Sequence, residues 1–150
     1  MSETGVARYS ITAEAHIRGP VSDAWDILVN PAKMGALFWA STVETNFKVG
    51  SPIVFKGIWE GKPFEDKGTI KKREEEALLQ FSHWSPTSGT PDDEANRHII
   101  TFRLTPEKGG VRVTLLHENI QTVAMKDHSE TMWRQLLERM KTMVEAGSTA

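Results

Sequence analysis

The 150-residue chain contains no cysteine, which excludes disulfides, thiol nucleophiles and thiolate metal sites together. No apolar stretch approaches the ~18 residues of a membrane-crossing helix. The first residues lack a charged-then-apolar signal pattern, so a cytoplasmic location is expected. A charge excess of one sign is also missing. Lys and Arg total 18 against 20 Asp and Glu, a balance that gives no reason to expect nucleic acid or an anionic membrane as partner. There is no internal repeat, no low-complexity segment and no phosphate-cradling glycine loop, since Gly109-Gly110 reads as a hairpin turn. Ser82 and His83 are neighbours on a strand, on opposite faces, and cannot form a nucleophile–base couple. What remains is an ordinary globular mixture, 39% hydrophobic and 25% charged. It is long enough for one domain with a sizeable core, expected over residues 9–146 behind a flexible tail at 1–8.

Hydrophobic periodicity orders the chain. Ile11, Ala13, Ala15 and Ile17 alternate with polar residues, as in a half-buried strand. Gly19-Pro20 ends it, and Ser22 or its neighbour is placed to cap a helix whose Val21, Trp25 and Leu28 share a face. Asn30-Pro31 breaks that helix, because the residue before proline is driven from the α region. A second helical turn then delivers Phe38-Trp39 to one end of the molecule. Strands are predicted over 43–47, 53–59, 64–72, 78–84, 97–105 and 111–118, with tight turns at 60–63 and 106–110. The Lys71-Lys-Arg73 and Glu74-Glu-Glu76 runs meet in a turn and read as a solvated tip. A long amphipathic helix is predicted over 127–145, with Met132, Trp133, Leu136, Leu137, Met140, Met143 and Val144 on its apolar face.

The segment Trp25-Asp-Ile-Leu-Val-Asn-Pro31, with Lys33-Met34 and Phe38-Trp39, resembles the helix-break-helix opening of the START-like, or SRPBCC, superfamily of birch-pollen-allergen-like proteins. The strand Val113-Thr-Leu-Leu-His-Glu118 and the helix carrying Trp133 resemble that superfamily's ending. Within it, the pattern looks most like the branch named for activators of a heat-shock chaperone's ATPase. The resemblance spans residues 9–145. It implies an α+β helix-grip fold: a curved antiparallel sheet wrapped around the long C-terminal helix, two short helices after the first strand, and a hydrophobic cavity between sheet and helix. Members include carriers, cyclases, oxygenase domains and co-chaperone domains, so the fold predicts a container better than its contents. The segment 85–96 departs from the tight hairpin expected there and is a candidate gate or disordered loop.

Strand parity sets the inner face. Its apolar members carry Asp66, His83, His98 and His117 inward with them. Counting back from the turns pairs Thr105 with Gly110, hence His98 with His117, and Lys72 with Ala77, hence Asp66 with His83. The four residues then form a row across four adjacent strands. Such a row could bind a metal, supply an acid or base, or orient a ligand. Strand-borne ligands in a row are nearly collinear and span roughly 14 Å at the backbone, whereas zinc needs a tetrahedron. No stoichiometric metal, no cofactor and no assigned catalytic residue are therefore expected. The leading expectation is a binder of a small hydrophobic or amphipathic molecule. Trp39, Phe55, Trp59, Phe81, Ile100, Phe102, Leu115, Trp133 and Leu137 form its apolar wall, and Asp66, His83, His98 and His117 orient a polar group. Two alternatives stay open: a cyclase, dehydratase or hydrolase using a cavity histidine, and a chaperone-regulating interaction domain.

Overall fold

A computed structural model describes residues 8–148; the expected tail lies outside them but for Arg8. Strand β1 (Tyr9–Ile17) leads into helices α1 (Val21–Val29) and α2 (Pro31–Leu37). Strands β2 (Thr42–Glu44), β3 (Pro52–Trp59), β4 (Lys62–Glu74), β5 (Leu78–His83), β6 (His98–Glu107) and β7 (Gly110–Ile120) follow, and helix α3 (Val123–Ser148) closes the order. The strands make one curved antiparallel sheet in the order β1-β7-β6-β5-β4-β3-β2. Helix α3 lies along its concave side against β1, β7 and the two short helices. This is the expected α+β helix grip.

Local chemistry explains the breaks. Asn30 ends α1 in extended conformation and caps α2, its side-chain oxygen accepting from the backbone N–H of Ala32 and Lys33, with Pro31 at the first helical position. Ser22 does not cap α1: Pro20 holds that position without a side-chain bond, and its carbonyl accepts from Asp23 N–H. Helix α3 begins four residues earlier than expected, because Thr122 Oγ1 accepts from Met125 N–H and supplies the cap. The strand expected over 43–47 stops at Glu44; Phe47 turns its buried ring inward at φ 60, with its N–H on Thr45 Oγ1.

Both registers derived from the turns are wrong by two residues. The last hairpin turns at Lys108-Gly109, so Glu107 faces Gly110 and Ile100, not His98, faces His117. Between β4 and β5 the connection is one residue shorter than expected, with Glu76 at φ 58, and a bulge near Lys71 restores parity. An isolated bridge pairs Lys67 with Trp84, so Asp66 and His83 are diagonal neighbours. Gly68 allows β4 and β5 to approach, since a Cβ there would overlap the Ser82 carbonyl oxygen. The charged tip is more than solvated: Trp25 Nε1 donates to Glu75 Oε2 (3.1 Å), and the Arg73 guanidinium lies 5.7 Å from the indole centroid.

Candidate functional site

The C-terminal half of α3 buries Leu136, Leu137, Met140 and Val144 against the sheet. The N-terminal half stands away from it and leaves a cavity of about 730 Å³. Phe38, Phe64, Phe81, Ile100, Met125, Met132 and Trp133 give it apolar walls, and Trp39, Trp59 and Trp84 also border it. Trp39 and Trp59 remain exposed. Trp39 follows α2 at φ 55, in the position where glycine usually closes a helix, with Ala40 N–H donating to Gly35 O. A tryptophan in that left-handed conformation is strained by about 1–3 kcal/mol.

On the sheet side stand the four expected polar residues, on β4, β5, β6 and β7 in spatial order. His83 faces His98 across β5 and β6, as parity required. The two-residue register errors leave every side chain on its predicted face, and diagonal neighbours remain within reach of a long side chain. His117 Nε2 and His98 Nδ1 are 2.8 Å apart, and His83 Nε2 lies 3.1 Å from Asp66 Oδ2.

Hydrogen-bond directions follow from one donor. Trp133 Nε1–H can only donate, and it reaches His117 Nδ1 at 2.8 Å. That nitrogen must therefore be bare, so Nε2 carries the proton and donates to His98 Nδ1. His98 in turn holds its proton on Nε2 and donates to Gln121 Oε1 (2.7 Å), while Gln121 Nε2 donates to the Asn96 carbonyl (3.0 Å). The chain runs one way from helix to loop and uses both nitrogens of both rings. Charge is unwelcome in it. Burial, then the neighbouring His98 and His83, depress the His117 pKa to about 3. Burial also lowers that of His98, opposed by its bond to Gln121. Neither ring can take a metal or a substrate proton without breaking the chain. Among the described residues no group of three or more His, Asp or Glu is arranged to hold a metal ion.

The Asp66–His83 pair is different. Asp66 Oδ2 meets His83, but Oδ1 is buried with no hydrogen-bond partner among the described residues. The segment 85–96 forms one wall of the cavity. Two short 3₁₀ turns, Pro86–Ser88 and Glu94–Asn96, shape it. Trp84 Nε1 donates to Thr90 O (3.1 Å), and Asp92 ties Lys67 (2.7 Å) to Arg97 (3.1 Å). Those contacts hold the Asp92 carboxyl below its usual range. Ser85, Thr87, Ser88 and Asn96 border the cavity.

Of the residues expected to line a site, Trp39, Trp59, Asp66, Phe81, His83, His98, Ile100, His117 and Trp133 border the cavity. Phe55, Phe102, Leu115 and Leu137 do not. They are buried in the core beneath it, because the sheet and the second half of α3 close on them. Phe38 stacks centrally against Phe55 (5.3 Å), Phe81 (6.2 Å) and Trp133 (6.0 Å). It was missed as a wall residue, although its pairing with Trp39 was the available signal. Met125 was missed because the first turn of α3 was placed too late, and His128, inside the predicted helix, because it was not read as part of the apolar face.

No curated protein sequence matches the chain. Residues 18–145 match the family described as Activator of Hsp90 ATPase homolog 1-like protein. A solution structure of a protein from Cytophaga hutchinsonii is 38% identical, with 98% of this chain and 100% of that one covered and a TM-score of 0.81. The Aha1 dimer from Colwellia psychrerythraea is 19% identical over 93% of this chain and 98% of that one (TM-score 0.75). An AHSA1-like protein from Aeromonas hydrophila is 18% identical over 95% and 96% (TM-score 0.74). The last two likenesses are of fold.

Proposed function

The chain belongs to the Activator of Hsp90 ATPase homolog 1-like family, and from that premise we propose that it holds a small amphipathic molecule between its sheet and α3. The observation that carries this reading is the cavity of about 730 Å³, with aromatic and methionine walls and Asp66 Oδ1 left unpaired against its sheet side. That volume falls in the range of small-molecule sites, which combine apolar walls with few convergent polar groups. The apolar body of the ligand lies against Phe38, Phe64, Phe81, Ile100, Met132 and Trp133, and its polar end faces Asp66 and His83. Met125 and Met132 are unbranched, so this wall adapts to shape without a backbone change.

Titration with Nile red, a neutral apolar dye, tests the container. Binding to the unmodified protein is expected, and Met132→Trp, which fills the cavity from α3, weakens it by at least about tenfold. Dye affinity unchanged by that substitution overturns the reading. Native mass spectrometry of gently purified protein identifies the occupant itself.

A further inference from the structure

We propose that the ligand is a non-anionic hydrogen-bond donor, an alcohol, phenol or amine on an apolar body, and that the site rejects carboxylates. This rests on the container reading above and adds the chemical class of what is held.

The argument is an inventory of donors and acceptors on the sheet side. The donors of the histidine chain are spent. Trp133 Nε1–H is on His117, the His117 proton is on His98, and the His98 proton is on Gln121. The chain ends with Gln121 Nε2 on the Asn96 carbonyl, and Gln121 is not among the residues bordering the cavity. One acceptor is open. His83 Nε2 lies 3.1 Å from Asp66 Oδ2 and leaves the other carboxylate oxygen unmet. A buried carboxylate oxygen lacking a donor is costly, and a guest hydroxyl or amine removes that cost.

Charge points the same way. No lysine or arginine is among the residues bordering the cavity, and Asp66 is the one acidic residue among them. The nearest lysine in sequence, Lys67, is turned to the other face of β4 and pairs with Asp92. The two histidines beside the dyad are held neutral by burial and by their bonds to each other. A guest carboxylate placed at Asp66 therefore meets a like charge, with no lysine or arginine at the cavity to offset it. Other donors border the cavity from the helix and loop side, such as Gln135 and Ser129 on α3 and the hydroxyls of residues 85–88, and the Trp59 indole on β3 is exposed.

A matched series of naphthylmethanol, naphthylmethylamine and naphthoate keeps the apolar body constant and changes only the polar end. Calorimetric titration near neutral pH is expected to rank the alcohol and the amine at least about tenfold tighter than the carboxylate. Asp66→Asn presents an amide N–H in place of Oδ1 and is expected to narrow the gap below about threefold or reverse it. Naphthoate binding to the unmodified protein as tightly as the alcohol overturns the proposal while leaving the container intact. A gap unchanged in a folded Asp66→Asn variant, checked by circular dichroism, also overturns it. Failure of all three probes and of Nile red removes the container reading itself. The ranking on the unmodified protein decides the matter whether or not the variant folds.

Discussion

Acid should destabilise this protein well before its carboxylates titrate, and His117 is the reason. Its ring is 4% exposed, accepts from Trp133 and donates to His98. In the folded chain it stays neutral down to about pH 3, against an ordinary value of 6.5. The sign follows from linkage. Below the ordinary value the unfolded chain binds a proton that the folded chain refuses, so stability falls as pH falls, across the interval between those two values. From about pH 7 to about pH 5 the unfolded imidazole goes from mostly neutral to mostly charged, a loss of about 2 kcal/mol from this residue alone. His98, depressed in the same direction, adds to it. The lowered carboxyls of Asp92, Glu107 and Glu145 have ordinary values of 3.8, 4.5 and 4.5. Their stabilising contributions are therefore largely retained at the acid end of this window. Urea denaturation followed by tryptophan fluorescence is the assay, and 2 kcal/mol corresponds to a midpoint shift of about 1 M. In His117→Gln, which cannot titrate, at least about 1 kcal/mol of this pH dependence should vanish. An identical loss in variant and parent would falsify the picture of a buried neutral His117.

Three further outcomes check the structure around that chain. Trp133→Phe leaves His117 Nδ1 without its donor and removes part of a buried indole, and should cost at least about 1–3 kcal/mol in urea titrations; a neutral result means the indole bond is not formed. Gly68→Ala drives a methyl group into the Ser82 carbonyl oxygen and should cost more than about 3 kcal/mol, so a soluble, native-like variant refutes the close approach of β4 and β5. Glu75→Ala removes the acceptor of the buried Trp25 indole and should cost about 1 kcal/mol with a shift in tryptophan emission; an unchanged melt returns the charged tip to mere solvation.

Which parts of this fold could be read in advance follows from what kind of signal each part leaves. Alternation over Ile11, Ala13, Ala15 and Ile17 and the break at Asn30-Pro31 are local, and the elements they predicted have the observed bounds. Turn lengths are less legible. Pro106 sits inside β6, paired with Val111, where it looked like part of the turn. The bulge near Lys71 leaves no mark in composition. Both errors were even-numbered after that compensation, and an even slip preserves the face of every side chain. The row Asp66, His83, His98, His117 therefore survived a register that was wrong in both hairpins.

The roles within the row were not legible, because they depend on a partner outside the sheet. Trp133 had been read as an apolar wall residue, by helical spacing alone. Its Nε1 reaches His117 across the interface between α3 and β7, a contact separated by sixteen residues and by the entry angle of the helix. That single donor orders the whole chain: it makes His117 Nδ1 an acceptor, fixes both tautomers and commits both ring protons within the chain. Without it the three histidines look equivalent, and a metal or an acid–base role fits any of them. With it they divide. His98 and His117 stay neutral and are closed to new partners, whereas His83 stands outside the chain, tied to Asp66, beside a carboxylate oxygen without a partner among the described residues. The proposed selectivity therefore depends on an indole on the opposite element as well as on Asp66, and the apolar-looking Trp133 is a residue whose loss should blur it.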